Sequence, residues 1–435
     1  MEQQQDSSHA ALLRVKSWLR KMESLSVQEQ RTMQESQLKL LFNHAYNCSG
    51  WWRNRLSLAG YRQDGGALFP VLANLPPLMR SDLQEHFDEL RAWQRDWSDK
   101  DIFVSTTSGS TGMPVRVEKF RSAYNLLYGA VTLIDHEWHG RDARLSLVTL
   151  GAKADSIQPD WGTLFAPFQG SGSVVIRYAS SRSMQEHTAW LQEHRPAYLK
   201  VAPSRAASIA EVLLQQGKTL PLRQIIGQTE RVTPRQREVC RKAFGAEIVD
   251  RYSCEECGWL ALQCKKYEHL HVMAGTTVLE IVDEARNPCP PGVAGRVLVT
   301  SLQSYAMPLI RYDIGDIAEW GEACDCGNRL PVIKRLWGRR RNLVRMPDGE
   351  LRPAPFFGDE VATIPVIREF RLVQQKNGEI DFFVRASRPL SGEELDALRS
   401  IVVKIDAPLV VTVRQVSVID WGTGLKREEF VRLES

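Results

Sequence analysis

The stretch Ser105-Thr106-Thr107-Ser108-Gly109-Ser110-Thr111-Gly112-Met113-Pro114 concentrates hydroxyl groups and glycines in one short connection. The residues before it, Ile102-Phe103-Val104, and those after it, Val115-Arg116-Val117, are short apolar patterns typical of strands. Glycine allows tight turns and close approach to a ligand, and free N–H groups with hydroxyls suit phosphate oxygens. The Walker loop is excluded because its Gly-Lys-Ser/Thr ending is missing. A polar hairpin loop and a phosphate-binding loop both remain consistent with the pattern.

Composition places the chain among ordinary globular proteins. It has 435 residues, of which 43% are hydrophobic and 25% charged, and a net charge of only +4. Such a small charge offers no general argument for binding to nucleic acid or membranes. The polar N-terminus argues against a signal peptide, and no apolar run approaches the length of a membrane span. We therefore expect a cytoplasmic protein whose eight cysteines are free thiols or metal ligands.

Strand and helix patterns alternate through the middle of the chain, which predicts a mostly parallel sheet with crossover helices. The expected strands are 145–150, 173–176, 198–201, 223–227 and 247–250, and the expected helices are 184–194, 204–216 and 233–244. Helical spacing is also present at 9–24, 28–48, 80–93 and 122–138. The predicted fold class is therefore α/β.

The pattern changes after about residue 267. Residues 278–282 and 295–300 alternate in the manner of antiparallel strands around a Pro-Pro-Gly turn. The tail has strands near 367–374, 380–385 and 409–419, with a helix near 391–403. We expect a large N-terminal domain, 1–337, with a β-rich part, followed by a small α+β domain, 338–435.

Polar segments follow several of the predicted strands. They are Pro203-Ser204-Arg205, Ile226-Gly227-Gln228-Thr229-Glu230 and Asp250-Arg251-Tyr252-Ser253-Cys254-Glu255-Glu256. In open α/β sheets this edge is where ligands bind. Three further segments stand out later in the chain. They are Arg311-Tyr312-Asp313-Ile314-Gly315-Asp316 and two basic stretches, Gly338-Arg339 and Gly424-Leu425-Lys426.

Together with the glycine-rich stretch, these segments resemble the adenylate-forming enzymes in both content and order. The Val115 that follows Met113-Pro114, where most members have lysine, is similar to the branch of the phenylacetate-CoA ligases and coenzyme F390 synthetases. The resemblance covers about residues 40–435. It implies the adenylate-forming fold, with a mobile C-terminal domain that rotates about a hinge near Arg339.

The resemblance also implies site residues. The phosphates of ATP would lie against Thr107, Ser108, Gly109, Ser110, Thr111 and Gly112. Tyr252 would stack on adenine, Asp316 would accept hydrogen bonds from the ribose hydroxyls, and Arg339 would contact the nucleotide. Glu256 would hold Mg²⁺, and Lys426 would be the catalytic lysine that bridges the carboxylate and the α-phosphate.

The sequence departs from the family pattern at three positions. Ser253 replaces a small glycine, and Glu255 occupies a position that is often Ser or Thr, so either Glu255 or Glu256 is a candidate for Mg²⁺. Arg341 replaces the aspartate of the hinge. A basic solvated face is the alternative interpretation of Arg339 to Arg341 and of Lys426.

Four residues match a tetrahedral metal site. Cys324 and Cys326 can supply two ligands from one turn, and Cys264 with His271 can supply the other pair from a hairpin. Similar positions in the related ligases imply a structural Zn²⁺. Cys254, Cys257 and His269 are competing ligands, and reduced free thiols are the alternative.

The resulting hypothesis is an enzyme that uses ATP and Mg²⁺ to activate a carboxylic acid as an acyl-adenylate. The resemblance to the phenylacetate-CoA ligases implies that this acid is an aryl acid. The acyl group would then pass to a thiol, coenzyme A by resemblance. Two rivals are adenylation of a hydroxyl and a non-catalytic nucleotide-binding protein. The aromatic residues Trp138, Trp161, Phe165 and Phe168 could line an apolar pocket or simply the core. A homodimer is the default expectation.

Overall fold

A computed structural model of the chain describes most of its residues. The described ranges are 2–93, 101–107, 114–151, 154–162, 172–179, 182–339, 343–349, 351–353, 361, 363–403, 409–421 and 429–433. The helices are α1 (Glu2–Met22), α2 (Val27–Cys48), α3 (Gly50–Leu58), α4 (Leu68–Asn74), α5 (Arg80–Glu85), α6 (Phe87–Leu90), α7 (Arg121–Trp138), α8 (Met184–His194), α9 (Pro203–Gln215), α10 (Pro234–Phe244) and α11 (Gly392–Val403). The strands are β1 (Ile102–Thr106), β2 (Arg116–Phe120), β3 (Leu147–Gly151), β4 (Ser156–Gln158), β5 (Val174–Tyr178), β6 (Tyr198–Val201), β7 (Gln224–Gly227), β8 (Ile248–Val249), β9 (Arg251–Cys254), β10 (Gly258–Gln263), β11 (Leu270–Val272), β12 (Thr277–Val282), β13 (Ala294–Ser301), β14 (Tyr312–Trp320), β15 (Val332–Arg339), β16 (Leu343–Arg345), β17 (Leu351–Pro353), β18 (Ile367–Gln374), β19 (Ile380–Ala386), β20 (Val411–Gln415) and β21 (Phe430–Arg432).

The backbone divides into two compact units, each made of two chain segments. The first contains Met1–Asp142 and Arg251–Leu336, and the second contains Ala143–Asp250 and Trp337–Ser435. One of the changes of unit along the chain falls between Leu336 and Trp337. The division into domains 1–337 and 338–435 stays a prediction.

The first unit begins with helices that bury one face. Helix α2 starts at a capping box, in which the Ser26 hydroxyl accepts from the Glu29 N–H and the Glu29 carboxylate accepts from the Ser26 N–H. Its Leu38, Leu41 and Phe42 recur at helical spacing and are fully buried. Together with the other helices of this unit, α2 covers the core formed by a sheet.

That sheet has seven strands in the order β12-β13-β14-β15-β11-β10-β9. The strand pairs β9–β10, β10–β11, β11–β15, β12–β13 and β13–β14 are antiparallel. Strand β10 is buried along its whole length, as expected of a strand covered on both faces. The Arg311–Asp316 segment runs into β14, so Asp316 lies inside a strand and is buried, not in a surface turn.

The second unit contains a six-stranded sheet in the order β4-β5-β3-β6-β7-β8. All its pairings are parallel except that of β4 with β5. Helices α8, α9 and α10 connect successive strands, and Pro203 and Pro234 lie in the first turns of α9 and α10, where the missing N–H costs nothing. The predicted α/β class is confirmed.

The C-terminal residues of the second unit form a smaller sheet in the order β20-β19-β18-β21. Strands β18 and β19 are antiparallel, and the two outer strands each join in parallel. Leu372, Phe382 and Leu398 are fully buried between this sheet and α11. This α+β arrangement agrees with the pattern in the sequence.

Two local predictions were wrong. The helix expected at 80–93 is two short helices, α5 and α6, because His86 leaves the helical conformation (φ −115°, ψ 27°). The strand expected at 409–419 is shorter, at Val411–Gln415. In the described part of the chain, every helix is too short or too polar to cross a bilayer.

A buried carboxylate joins α7 to β9 in the first unit. Asp135 is completely buried; Arg141 Nη1 donates to its Oδ2, and Arg251 Nη1 lies 3.7 Å from the same oxygen. Burial alone would raise the pKa of Asp135, but the two guanidiniums outweigh it and hold the pKa below its ordinary 3.8. Asp135 is therefore ionised at neutral pH and holds Arg251 in place.

We predict that Asp135→Asn lowers the free energy of unfolding by about 3–5 kcal/mol, because it removes the buried carboxylate that faces both guanidiniums. The contribution of the carboxylate is fully present above pH 3.8 and is lost as pH falls through the lower folded pKa. The difference between the two proteins in urea unfolding should therefore shrink at acid pH. Glu238→Gln, at an exposed ion pair on α10, is the matched control and should change little. Equal stability of Asp135→Asn and wild type at pH 7 would contradict the prediction.

Candidate active site

The glycine-rich stretch connects two paired strands. Strands β1 and β2 are antiparallel, with Thr106 opposite Arg116. At the base of the loop, the Thr107 N–H donates to the Val115 carbonyl and the Val115 N–H donates to the Thr107 hydroxyl oxygen, both at 2.9 Å. Residues Ser108, Gly109, Ser110, Thr111 and Gly112 lie outside the described residues. The hairpin that would present a phosphate loop is therefore formed, and the role of the loop stays a prediction.

Arg80 connects this loop to a carboxylate. Its Nη2 donates to the Thr107 hydroxyl oxygen at 3.2 Å, and its Nη1 lies 3.9 Å from Glu256 Oε1. Arg80 is the first residue of α5 and is half-buried. A role for Arg80 was not predicted from the sequence, because the only local feature near it is the Pro76-Pro77 break just before the helix.

The two neighbouring glutamates have different surroundings. Glu256 is buried, and its carboxylate accepts from the Tyr312 hydroxyl at 3.1 Å. Burial raises the pKa of Tyr312, so the phenol remains protonated and can donate. Glu255 is exposed and accepts from the Ser105 hydroxyl of β1, while its carbonyl accepts from the Lys119 ammonium. The turn between β9 and β10 thus directs the two carboxylates to separate partners.

Tyr252 and Asp316 form a pair. Tyr252 is on β9 and buried, and its hydroxyl donates to Asp316 Oδ2 at 2.7 Å. A carboxylate such as that of Asp316 can accept several hydrogen bonds at its two oxygens. The sequence named both residues, but not the bond between them, because they are 64 positions apart.

Arg311, which begins the same motif, is structural. It is 1% exposed, its Nη2 lies 3.1 Å from Glu280 Oε1, and its Nη1 donates to the carbonyls of Ala73 and Leu75. Its backbone is in the left-handed region, with φ of 54°. Arg311 therefore ties the start of β14 to the C-terminal end of α4.

The second unit has its own strained segment at the end of β7. Thr229 has φ of 67°, a rare conformation for a β-branched residue, of the kind that concentrates at functional sites. Gln228 Nε2 donates to the Leu150 carbonyl at 3.2 Å, and Glu230 accepts from the Ser204 N–H at 3.1 Å. These contacts hold the predicted ligand-binding edge of the parallel sheet. The sequence indicated the segment, but not the strain.

Of the two remaining residues predicted to contact the nucleotide, Arg339 is among the described residues and Lys426 is not. Arg339 is half-buried and is the last residue of β15. Lys426 lies outside the described residues. Their assigned roles stay predictions.

The structure brings together the four predicted metal ligands in the first unit. The ligand atoms of Cys264, His271, Cys324 and Cys326 all lie within 4.8 Å of one another. Cys264 and Cys324 have their sulfurs 3.8 Å apart, and Cys326 Sγ is 3.4 Å from His271 Nε2. The competing candidates Cys254, Cys257 and His269 are not part of this group.

The arrangement of His271 is suited to metal binding. Its Nδ1 is 3.2 Å from the Leu330 carbonyl, which can accept a hydrogen bond from an Nδ1–H and leave Nε2 as the ligand atom. Burial lowers the pKa of His271 to about 4, so the imidazole is neutral at pH 7. Three thiols and one imidazole form a donor set that zinc prefers in structural sites. The residues present therefore fit Zn²⁺.

The parallel sheet, the antiparallel sheet with its paired Tyr252 and Asp316, and the loop-bearing hairpin together define an adenylate-forming enzyme. The family model of AMP-binding enzymes matches residues 30–306, and the chain therefore belongs to that family. The resemblance seen in the sequence is confirmed.

Curated relatives and solved structures agree with this assignment. The chain is 23% identical to a phenylacetate-coenzyme A ligase of Thermus thermophilus, over 83% of this chain and 81% of that one. It is 24% identical to the phenylacetate-coenzyme A ligase of Escherichia coli, over 68% of each. A 2-hydroxyisobutyryl-CoA ligase in complex with its acyl-AMP has the same fold, with a TM-score of 0.74, 18% identity and coverage of 95% of this chain and 91% of that chain.

We predict that the purified protein contains about one zinc ion per chain and that Cys264→Ser or Cys326→Ser reduces this content several-fold, because each variant removes one of four ligands. Zinc content is measured by elemental mass spectrometry, and melting temperature by scanning calorimetry. Cys240→Ser, at a buried thiol on α10 outside the group, is the matched control and should retain the metal. Zinc-free wild-type protein that melts at the same temperature as zinc-loaded protein would contradict a structural role.

Proposed function

We propose that the chain activates a carboxylic acid with ATP and transfers the acyl group to coenzyme A. The observation that carries this proposal is the chain of contacts from Thr107 through Arg80 to Glu256, beside the Tyr252–Asp316 pair. It connects the base of the predicted phosphate loop to the candidate Mg²⁺ ligand, in a family of AMP-binding enzymes. The curated relatives quoted above carry the names of acid–CoA ligases.

In the first half-reaction, a carboxylate oxygen of the acid attacks the α-phosphorus of ATP, and pyrophosphate leaves. Thr107 and the loop up to Gly112 would hold the phosphates, Tyr252 the adenine and Asp316 the ribose. Arg339 would contact the nucleotide, and Lys426 would bridge the carboxylate and the α-phosphate. Magnesium, when bound, supplies positive charge that neutralises the phosphate oxygens.

In the second half-reaction, a thiol attacks the acyl carbonyl carbon. The C–O bond to the phosphate breaks, AMP leaves and the thiol proton is released. Coenzyme A is the thiol favoured by the relatives, and a hydroxyl acceptor is the alternative that the assay below separates from it.

Glu256 is the better candidate for the Mg²⁺ ligand. It is the buried carboxylate that faces Arg80 and Tyr312, whereas Glu255 is turned to Ser105 on the neighbouring hairpin. Two carboxylates at one phosphate site would repel each other and the substrate. Their separation weakens the case for a non-catalytic protein that Glu255 had suggested.

We further propose an aromatic acid. A pocket in the first unit is lined by Tyr124, Tyr128, Trp259 and Tyr305 and also reaches Glu256. The rings of Tyr128 and Trp259 are stacked with centroids 5.3 Å apart, and such flat walls suit a planar ligand. These aromatic residues lie at other positions than those named from the sequence.

The aromatic residues named from the sequence have other surroundings where they are described. Trp138 packs edge-on against His271, beside the metal ligands. Trp161 donates to the Leu145 carbonyl and packs edge-on against Tyr198 in the second unit. Phe165 and Phe168 lie outside the described residues. The sequence-based pocket is therefore not supported by Trp138 or Trp161.

Three accompanying assignments complete the proposal. Zinc at the Cys₃His group would be structural, since four protein ligands fill a tetrahedral site. A cytoplasmic location and a homodimer remain expectations from the sequence.

The test is release of pyrophosphate from ATP and Mg²⁺ with a panel of aryl, hydroxy and fatty acids, with and without coenzyme A. We expect release with aryl acids, increased by coenzyme A, with AMP and a thioester as products by mass spectrometry. AMP retained on a hydroxyl acceptor would favour the hydroxyl-adenylating alternative. ATP binding without release for any acid would overturn the proposal.

Lys426→Ala tests the proposed catalytic role of this lysine. We expect it to bind ATP normally and to lose about 10²–10³-fold in pyrophosphate release, the range for removing one group that stabilises transition-state charge. Lys376→Ala, at an exposed lysine in the turn between β18 and β19, is the matched control and should retain activity. Full activity in Lys426→Ala would remove the lysine from the mechanism.

Arg80 gives a further prediction. Arg80→Ala should lower pyrophosphate release by about tenfold to a hundredfold, the range for losing a group that orients a metal ligand. The half-saturating Mg²⁺-ATP concentration should rise, while that of the acid changes little, because Arg80 contacts Thr107 and Glu256. Arg62→Ala, at an exposed arginine, is the control. A rise confined to the acid would contradict the assignment.

A further inference from the structure

Two cysteines remain outside both the metal group and the proposed catalytic residues, although they flank the two glutamates. Cys254 ends β9, Cys257 precedes β10, and Glu255 and Glu256 lie between them. Cys254 pairs across the hairpin with Gly258. Both cysteines are half-buried.

The backbone brings the two thiols together. The Cys257 N–H donates to Cys254 Sγ at 3.3 Å, so the Cys254 side chain folds back over the turn. Residues at the two ends of a four-residue turn have Cα atoms less than about 7 Å apart. A disulfide spans about 4.4–6.8 Å between Cα atoms, so one can form here without large movement.

The surroundings favour thiol chemistry over metal binding. Within the described ranges, the one group of ligand atoms close enough for a metal is the Cys₃His group, which excludes this pair. The Lys119 ammonium lies at the turn, where it donates to the Glu255 carbonyl.

We propose that Cys254 and Cys257 form a reversible disulfide across this turn and that the disulfide suppresses adenylation. The oxidant is a low-molecular-weight disulfide of the glutathione class. The thiolate of one cysteine attacks it, forming a mixed disulfide and releasing one thiolate. The other cysteine, after losing its proton, attacks the mixed disulfide and releases the second thiol. Two protein thiols are oxidised, and one small disulfide is reduced to two thiols.

The disulfide acts on the glutamates through the turn. A sulfur–sulfur bond draws Cys254 Sγ away from the Cys257 N–H, so the hydrogen bond that shapes the reduced turn is lost. Glu256 then shifts relative to Arg80 and Tyr312. This effect on activity rests on the proposed function, whereas formation of the disulfide does not.

The first measurement maps the bond in the full-length protein. Reduced protein is incubated with oxidised glutathione, alkylated, and cleaved with trypsin and a glutamate-specific protease. Because cleavage after Glu255 and Glu256 separates the two cysteines, only a disulfide can keep their peptides joined. We expect joined peptides in wild type and in Cys48→Ser, a half-buried control thiol on α2, but not in Cys254→Ser or Cys257→Ser. Alkylation of both cysteines in oxidised wild type, or pairing with another cysteine, would overturn the proposal.

The second measurement is pyrophosphate release by the same samples. Oxidation should lower the rate of wild type and Cys48→Ser by about tenfold to a hundredfold, a reductant should restore it, and Cys257→Ser and Cys254→Ser should be insensitive. A disulfide that leaves the rate unchanged would overturn the control of adenylation. If the reduced protein releases no pyrophosphate, the proposed function fails, and the peptide map still decides whether the disulfide forms.

Discussion

The carboxylate of Asp135 lies inside the first unit between the guanidiniums of Arg141 and Arg251. A buried charge is tolerated only with its partners in place, so the position of β9 relative to α7 is constrained. Helix α7 directly follows β2 of the loop-bearing hairpin, and Arg251 directly precedes Tyr252. One ion cluster thereby sets the distance between the phosphate-loop hairpin and the turn that carries Glu255 and Glu256.

Short polar contacts connect the phosphate-loop hairpin to the turn that carries Glu255 and Glu256. Ser105 and Lys119, on the hairpin, hold the carboxylate and the carbonyl of Glu255, while Tyr312 and Arg80 face Glu256. The arrangement distributes two adjacent negative charges between different partners, which avoids their mutual repulsion. It explains how a chain that departs from its family at Glu255 can still present one carboxylate to a metal.

Much of the fold could be predicted because its signals are local. Between β3 and β8, the spacing of apolar residues predicts which residues of each strand and helix are buried. The capping residues predict where the helices begin. Helices α3 and α4 were missed because their short apolar segments lack a clear period. The break at His86 was missed because nothing in the neighbouring sequence forbids a continuous helix.

The sequence by itself determined the family, the order of the motifs and the α/β class, since residue type and spacing carry that information. It predicted Cys264, His271, Cys324 and Cys326 as metal ligands but left Cys254, Cys257 and His269 as competing candidates. Only the tertiary structure decided the partners. Arg80 meets Thr107 across 27 positions, Tyr312 meets Glu256 across 56, and Ser105 meets Glu255 across 150. It also separated the metal cysteines from the Cys254–Cys257 pair. Such contacts depend on how strands and helices that are distant in the sequence pack together, and local propensity does not predict that packing.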